Sequence, residues 1–242
     1  MPDTVAIGLG VPGFIDPTTH RVISLPNIPG SGNRDVRQWL SDATGLPVTV
    51  ENDARCFAYA EALLGAGKGH AIVLGVTLGT GVGGGIVLDG ELFRGAHGYA
   101  GEVGHALLVP AQPPYPTEDR RGEVEQFLSG TAMGKRCAAA KRPQEYLEGQ
   151  VCAFLHPEVI REAAWFIVNA MHFLDPSIVI VGGSTGRALA PHLSAIEREL
   201  RAWLLPGMTP PVLACGVLED AAVRGAAMLA AAHAPSTAIL PS

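Results

Sequence analysis

The segment Glu51–Cys56, ENDARC, places an amide and a carboxylate side by side at a predicted junction between a strand and a helix. Asn52 can both donate and accept hydrogen bonds. The carboxylate of Asp53 could accept the proton of an alcohol that attacks the γ-phosphate of a nucleotide. Asn and Asp are also favoured helix N-caps, and that structural role alone would explain the pair. The two residues permit phosphoryl transfer, and other motifs must decide between these interpretations.

Two glycine-rich turns form the second chemical feature. Thr77–Val87, TLGTGVGGGIV, carries five glycines between two predicted strands, and Thr77 and Thr80 add hydroxyl donors. Val181–Gly186, VGGSTG, follows a predicted buried strand and opens a helix. Backbone N–H groups in such turns can converge on an anion, whereas a tight hairpin would need glycine only for its backbone angles. Two turns of this kind together favour the binding of nucleotide phosphates.

A third group of residues offers hydrogen bonds to a polyol. The segment AGEVGHALL sets Glu102 and His105 three residues apart, and RRGEVEQFLSG supplies Glu123 and Glu125. Carboxylates and imidazoles can both contact sugar hydroxyls. Each such residue on its own is more often a solvated or satisfied side chain.

The elements that must position these groups alternate between strands and helices, which predicts an α/β fold. The predicted strands are Val5–Gly10, the PVTV segment at 47–50, His70–Val76, Gly84–Leu88, Ser177–Val181 and Val212–Ala214. The predicted helices are Arg34–Thr44, one from Asn52 or Asp53 to about Gly65, Glu158–Leu174, one from about Arg187, and Glu219–His233. We expect Trp39, Trp165 and Trp203 to anchor helices in the core.

Composition excludes several classes of protein. The 242 residues have 48% hydrophobic side chains, which predicts a sizeable core, and a net charge of −6, which argues against a general binder of nucleic-acid backbones. No apolar run is long enough to span a membrane, and no basic segment precedes an apolar one at the start, so we expect a soluble, cytoplasmic protein. The cysteines are Cys56, Cys137, Cys152 and Cys215. They lie far apart without a C-x-x-C pair, so we expect reduced thiols.

The motifs ENDA, TLGTGVGGGIV, GYAGEVGH, EQFLSGTAM and DPSIVIVGGS occur in the order seen in the ROK family of sugar kinases and related transcriptional repressors. With GLGVPGFID and LPNIP upstream, the chain resembles that family over nearly its whole length. The resemblance implies an α/β, actin-like (ribonuclease H-like) ATPase fold, with two lobes that close on ATP and a hexose. In the implied division, residues 1–53 form part of an N-terminal lobe that the C-terminal helix, about 219–242, completes. Residues 54–218 then form the C-terminal lobe.

The resemblance also assigns roles to residues, with Asp53 as the general base. The residues implied to line the sugar site are Gly13, Asn27, Asn52, Glu102, His105 and Glu125. The residues implied to contact ATP are Thr77, Gly79, Thr80, Gly81, Gly182 and Gly183. Mg²⁺ is expected with the ATP, and a homodimer is expected because dimers are common in the resembled family. Neither nucleic acid nor membrane is an expected partner.

The chain departs from the family pattern at its beginning. Kinases of this superfamily open with a D-x-G-G-T motif that holds Mg²⁺ and the ATP phosphates, and this sequence contains no such stretch. It starts at what resembles a later strand of the first lobe, VAIGLGVPG. We therefore expect an incomplete first lobe and a weak or inactive kinase, unless a partner completes that lobe.

A second departure concerns zinc. Many family members carry C-x-C-G-x-x-G-C-x-E, whose cysteines join a histidine on zinc. The matching run here is PTEDRRGEVE, with Pro116, Glu118 and Glu123 at the cysteine positions. We expect no bound zinc and a looser loop before Glu125. His105 would then serve only to hydrogen-bond the sugar.

Three functions remain open. The first is phosphorylation of glucose or a related hexose such as N-acetylmannosamine, mannose or fructose. The second is a sugar-responsive repressor that lacks its DNA-binding domain in this chain, and the third is a non-catalytic sugar-binding remnant. The intact ENDA segment favours catalysis, because a pure sensor could discard Asp53.

Overall fold

The computed structural model describes residues 4–16, 19, 21–24 and 35–234 of the chain. Strands and helices alternate along it, which confirms the α/β class. The strands are β1 Ile7–Val11, β2 Phe14–Ile15, β3 Val22–Ser24, β4 Val48–Asn52, β5 Ile72–Leu78, β6 Val82–Leu88, β7 Glu91–Phe93, β8 Ile178–Gly182 and β9 Val212–Cys215. The α-helices are α1 Val36–Thr44, α2 Asp53–Leu64, α3 Val124–Leu128, α4 Gly130–Arg136, α5 Pro143–Leu147, α6 His156–Leu174, α7 Gly183–Ala188, α8 Leu193–Leu200 and α9 Ala221–Ala232.

The largest sheet has the strand order β7-β6-β5-β8-β9. Strands β5 and β6 form an antiparallel hairpin, and β5, β8 and β9 run parallel. Every residue of β8 is buried, as expected for a central strand with helices on both faces. Because β5 and β8 are parallel, with Thr77 opposite Gly182, both glycine-rich turns lie at one edge of the sheet.

Helix α2 packs against the β5–β6 hairpin at very short distance. A Cβ atom at Gly75 would lie 2.5 Å from the Cβ of Ala58, and one at Gly85 would lie 2.8 Å from the same atom. Only hydrogen fits at these positions, because real Cβ contacts are essentially never shorter than 3.0 Å. The glycines of β5 and β6 therefore fix the distance between the sheet and the helix that begins at Asp53.

Helix α9 lies between α2 and the first strand. A Cβ at Gly225 would stand 1.9 Å from the carbonyl oxygen of Cys56, and one at Gly8 would stand 2.0 Å from the carbonyl oxygen of Ala226. The backbone of α9 thus touches α2 on one side and β1 on the other. This packing connects the end of the described chain to its beginning.

Strands β1 and β4 pair in parallel, and β2 and β3 form a short antiparallel pair. A separate small core lies beneath them, made of Val11, Val22, Val48 and Val50. Helix α1 covers this core with Val36 and Leu40; it begins at the cap Asp35 and ends at Gly45, whose φ of 71° is left-handed.

Two of the three tryptophan predictions are wrong. Trp39 is 68% exposed and Trp203 is 48% exposed, and only Trp165 is half-buried. Helix α1 is amphipathic but buries no residue completely, and Trp39 lies on its solvent side. Trp203 stacks edge-on against Trp165 at 6.1 Å between ring centroids, so this pair covers the surface of the core.

The expectation of four reduced cysteines is also wrong. Cys137 and Cys152 form a disulfide, whereas Cys56 and Cys215 are free thiols. Both bridged residues are buried, because the fold brings the end of α4 next to the short turn before α6. A separation of 15 residues carries no pairing signal in the sequence. No helix in the described part of the chain is long and apolar enough to span a membrane.

Candidate functional site

Asn52 and Asp53 lie where β4 ends and α2 begins, both half-buried. The Asn52 side-chain oxygen accepts hydrogen bonds from the backbone N–H groups of Ala54 at 3.0 Å and Arg55 at 3.1 Å. Asn52 is therefore the N-cap, and Asp53 is the first helical residue. Asp53 Oδ1 accepts the Ala54 N–H at 2.9 Å, and no ion pair among the described residues involves Asp53. The sequence allowed either residue to be the N-cap, and the structure shows that it is Asn52. Asp53 therefore retains a carboxylate oxygen for other chemistry.

The turn after β1 approaches the same helix end. Asn52 Nδ2 donates to the carbonyl oxygen of Gly13 at 3.2 Å. The ring of Phe14 lies 5.8 Å from that of His105 and 6.1 Å from that of Tyr99. The structure thus brings the 13–14 turn together with Asn52 and His105. Asn27, the remaining predicted sugar ligand from this part of the sequence, lies outside the described residues.

Glu102 is connected to α2 by a buried arginine. Nη2 of Arg55 donates to Glu102 Oε1 at 3.0 Å and to the carbonyl oxygen of Gly98. Burial raises the pKa of the Glu102 carboxyl, and the nearby charges of Arg55 and His105 oppose that rise. Asp53 also raises this pKa by repulsion, so the two carboxylates are near enough to interact.

His105 and Glu125 are held by different partners. His105 Nδ1 lies 3.2 Å from Glu123 Oε2, and because a carboxylate accepts, Nδ1 donates and Nε2 stays available. The His105 side chain is 42% exposed. Glu125 Oε2 accepts the backbone N–H of Val82 at 2.8 Å, directly after Gly81. Glu125 thus contacts the glycine turn between β5 and β6.

That turn consists of three residues, Gly79, Thr80 and Gly81, because the strands extend further toward it than the sequence predicts. Gly79 N–H donates to the Gly81 carbonyl oxygen at 3.0 Å. Helix α4 supports the turn from behind: Gly130 N–H donates to the Gly79 oxygen at 2.7 Å, and Thr131 Oγ1 donates to the Thr80 oxygen at 2.7 Å. The N-terminal end of α4 therefore fixes the shape of the turn.

The glycines of Thr77–Val87 serve two different purposes. A Cβ at Gly83 would lie 2.6 Å from the Ala54 Cβ, so this glycine is required by packing against α2. Gly79 has no positive φ and no atom within 4 Å of the position a Cβ would occupy. Neither backbone angle nor packing requires glycine at 79. The space beside it is open to a ligand.

Gly182 and Gly183 begin the second turn, opposite Thr77 in the sheet. Gly183 has a φ of 79°, and a Cβ there would lie 2.4 Å from the carbonyl oxygen of Leu78. A Cβ at Gly182 would lie 2.4 Å from the ring of Phe57. Gly183 is therefore needed for the close approach of the second turn to the end of β5, and Gly182 for packing against α2.

The loop at the position of the family's zinc motif has an organisation of its own. The side chain of Gln126 accepts the N–H of Gly122 at 2.6 Å and of Glu123 at 3.2 Å, and its amide donates to the Asp119 carbonyl oxygen at 2.7 Å. Arg121 pairs with Asp119 and Glu123 at 2.7 and 2.8 Å. These bonds hold the loop that was expected to be loose. In the described ranges, no three His, Cys, Asp or Glu side chains form a group that could hold a metal.

Sequence reasoning missed Arg55, Glu51 and Gln126. Glu51 lies in β4 and Arg55 in the first turn of α2, and their side chains form an ion pair at 3.5 Å across the junction. One signal for these contacts was the arginine of ENDARC, which lies in a segment predicted to form a helix. An arginine that is buried there needs charged partners. For Gln126, the motif offered no signal beyond its place three residues after Glu123, the spacing of a capping box.

Comparisons with known proteins identify the family and the fold of the chain. A model of the ROK family matches residues 1–233. The chain is 31% identical over 248 residues to a glucokinase from Thermotoga maritima, covering 92% of this chain and 78% of that protein. It is 35% identical over 243 residues to an N-acetyl-D-glucosamine kinase from Erwinia tasmaniensis, covering 93% of this chain and 80% of the relative.

Among solved structures, the chain is similar to a ROK family glucokinase from Streptomyces griseus in complex with glucose and AMPPNP. The TM-score is 0.73 at 31% identity, covering 95% of this chain and 82% of that one. The actin-like ATPase fold expected from the sequence is thereby confirmed.

Proposed function

The chain belongs to the ROK family, and from that premise we propose that it transfers the γ-phosphoryl group of ATP to a hydroxyl of a hexose. The proposed acceptor is glucose or a related sugar such as N-acetylmannosamine. The observation that carries the proposal is that Asn52 and Asp53 have different roles at the start of α2. Asn52 caps the helix, and Asp53 makes no ion pair in the described structure. The next residue, Ala54, packs against Gly83, two positions after the glycine turn. A carboxylate so placed suits a general base.

In the proposed reaction, the sugar hydroxyl oxygen attacks the γ-phosphorus. A new P–O bond forms, the bond from γ-phosphorus to the bridging oxygen breaks, and ADP leaves with that electron pair. Asp53 accepts the hydroxyl proton during this step. A rigid helix holds the carboxylate in place. Less entropy is therefore lost when the carboxylate and the alcohol are oriented for the reaction.

Asn52, Glu102 and His105 are proposed to orient the sugar, together with Gly13. Asn52 Nδ2 has a second N–H besides the one that it donates to Gly13, and His105 Nε2 offers an acceptor. Glu102 offers the carboxylate oxygen that Arg55 does not occupy. Glu125 is proposed to link the sugar to the phosphate turn, because its carboxylate already holds the Val82 N–H.

The triphosphate is proposed to lie against the Gly79–Gly81 turn. The open space at Gly79, which packing does not explain, is what fits a phosphate there. The hydroxyls of Thr77 and Thr80 are proposed as further donors, and Gly182 and Gly183 as contacts of the nucleoside end. Mg²⁺ bound with ATP would spread the negative charge of the transferring group. The described residues hold no acidic or histidine cluster for it, so we assign it no protein ligand.

We propose the same two lobes as the sequence predicts. Residues 1–53 and the C-terminal helix form the first lobe, and residues 54–218 form the second. Helix α9 contacts both proposed lobes: its backbone meets β1 at Gly8, and Ala226 and Leu229 pack in one core with Phe57 of α2.

An ADP-release assay tests the proposal. Purified protein with Mg·ATP is offered glucose, mannose, fructose, N-acetylglucosamine, N-acetylgalactosamine and N-acetylmannosamine in turn, and a reaction without sugar gives the background. Release of ADP that depends on at least one sugar, with a sugar phosphate of matching mass, is the expected result. Sugar binding by calorimetry without ADP release would instead support a non-catalytic sugar-binding protein. Neither binding nor turnover with any hexose would reject the proposal.

A further inference from the structure

We propose that Arg55 is a positioning residue, which fixes the carboxylate of Glu102 in the orientation and charge that sugar binding requires. The inference rests on the proposed function, in which Glu102 contacts a sugar hydroxyl. Arg55 lies in the first turn of α2, two positions after Asp53, and none of the sequence motifs explains it.

Arg55 is almost completely enclosed, with 5% of its side chain exposed. Nη2 donates both to Glu102 Oε1 at 3.0 Å and to the Gly98 carbonyl oxygen. Nη1 faces Glu51 Oε1 at 3.5 Å. Oε2 of Glu51 in turn accepts from Arg94 Nε at 2.8 Å. The four side chains form a row of alternating charge that runs from Arg94 through Glu51 and Arg55 to Glu102.

The row is buried in the middle and reaches solvent at both ends. Side-chain exposure is 39% for Arg94, 6% for Glu51, 5% for Arg55 and 21% for Glu102. Glu102 is the end near the proposed site, because it lies close enough to Asp53 for the two carboxylates to interact. Buried charges are tolerated only when they are paired and hydrogen-bonded, so the two inner members require each other. A row of this kind holds its outer carboxylate in one place.

The guanidinium suits this task better than an ammonium would. Its planar fork can bond a carboxylate and a carbonyl with fixed relative geometry, whereas lysine is a point charge on a flexible stem. By bonding Gly98 and Glu102 together, Arg55 fixes the loop that carries the sugar ligand. Because Arg55 and Asp53 belong to the same helical turn, one rigid element sets the positions of both the base and the ligand.

The charge of Arg55 matters as well as its shape. The charged and titratable groups that face Glu102 are Arg55 and Asp53 from α2 and His105 from the short turn at Val103–His105. Burial and Asp53 raise the pKa of Glu102, and Arg55 is the largest influence that lowers it. Without Arg55 the pKa of Glu102 rises further. Glu102 then takes up a proton at higher pH, and a protonated oxygen donates a hydrogen bond instead of accepting one.

The test compares Arg55→Gln and Arg55→Lys with the wild type, using the sugar that gives the highest turnover. KM for sugar, kcat and the pH profile of kcat/KM are measured, and sugar affinity is checked by calorimetry. Arg55→Gln is expected to raise KM for sugar by about 10–100-fold, the loss of a hydrogen bond to a charged group. Its kcat should fall less, and the acid limb of its pH profile should move to higher pH. Arg55→Lys should restore the acid limb while KM stays raised.

Arg136→Gln is the matched control. Arg136 is also a buried arginine, 3% exposed, and it pairs with the buried Glu162 at 2.7 Å and the exposed Glu158 at 2.8 Å. Both partners belong to α6, which carries none of the proposed site residues. The control should lose stability and keep the wild-type KM and acid limb. If Arg55→Gln does not fold, Arg94→Gln removes the half-exposed end of the row instead. A smaller rise in KM in the same direction is then expected.

The inference alone is overturned if the wild type phosphorylates a sugar and Arg55→Gln, or Arg94→Gln in its place, keeps the wild-type KM and pH profile. It is also overturned if Arg136→Gln shifts both readouts equally, because the effect would then be a general loss of stability. A wild type that neither binds nor phosphorylates any hexose overturns the proposed function, and this inference falls with it.

Discussion

The side-chain amide of Asn52 donates to the carbonyl oxygen of Gly13 at 3.2 Å, while the oxygen of the same amide caps helix α2. One side chain therefore connects the turn after β1 with the start of the helix that carries Asp53. The amide has both a donor and an acceptor, whereas the carboxylate of the same size has only acceptors. Its two ends can be tested separately.

Substitutions of Asn52 separate the cap from the contact to Gly13. Asn52→Ala removes both and should cost about 1 kcal/mol of unfolding free energy, the usual value of an N-cap. Asn52→Asp keeps an acceptor for the cap, so its stability should exceed that of Asn52→Ala. Both should raise KM for sugar, because the donor is gone. Urea denaturation and sugar titration measure the two effects; equal stability of the two variants would contradict the capping role.

A pair of glycine substitutions separates ligand contact from packing. Gly79→Ala places a methyl group in open space without a positive φ, so stability should be unchanged or gain about 0.4–1 kcal/mol. The methyl group would obstruct a phosphate, and kcat/KM for ATP should fall by about 10²-fold. Gly83→Ala should instead lose about 1–3 kcal/mol of stability, because it collides with Ala54. A Gly79→Ala variant with normal ATP kinetics would refute the phosphate assignment.

The histidine pair at the start of α6 makes stability depend on pH. Burial and the charge of His192, whose ring lies 4.8 Å away, lower the pKa of His156 below its ordinary value of 6.5. The folded state then binds fewer protons than the unfolded state, so its stability is full above pH 6.5 and declines as the pH falls toward the folded-state pKa. His156→Phe keeps a ring there without titrating.

Urea denaturation of both proteins over a pH series checks this. The free energy of unfolding of the wild type should fall more steeply than that of His156→Phe as the pH drops below 6.5. Parallel curves would show that His156 has no depressed pKa.

The disulfide between Cys137 and Cys152 closes a loop with a sequence separation of 15. A bridge of that span stabilises a protein by roughly 3 kcal/mol in the chain-entropy model. Reducing agent should therefore lower the denaturation midpoint of the wild type. A variant with both residues changed to alanine should be insensitive to the reagent. Cys215→Ala, which removes a free thiol, serves as the control and should keep the sensitivity. A wild type with four titratable thiols after non-reducing denaturation would contradict the bridge.

The local features of the fold were predictable from the sequence. The β5–β6 hairpin, the start of α2 at Asp53 and the buried stripe of α6 each follow from turn residues, caps and periodicity within one segment. The predicted strands end too early beside the glycine turn, because Thr77 pairs with Gly83 and Leu78 with Val82 in the ladder. Whether a glycine faces a ligand or a helix depends on where α2 packs.

Contacts between distant segments were not predictable. Arg55 and Glu102 are 47 residues apart, and nothing in either motif pairs them. The predictions of reduced cysteines and of buried tryptophans failed for the same reason, since both features depend on how the elements pack. The order of family motifs indicated the site, and the structure supplied its supporting residues.

The most direct test of the central claim is the turnover number of Asp53→Asn with the preferred sugar and saturating Mg·ATP. The amide keeps the size and the contact to the Ala54 N–H but cannot accept the hydroxyl proton. We predict a fall in kcat of about 10²–10⁴-fold, with sugar affinity and the denaturation midpoint close to those of the wild type. Turnover near the wild-type value would contradict Asp53 as the general base.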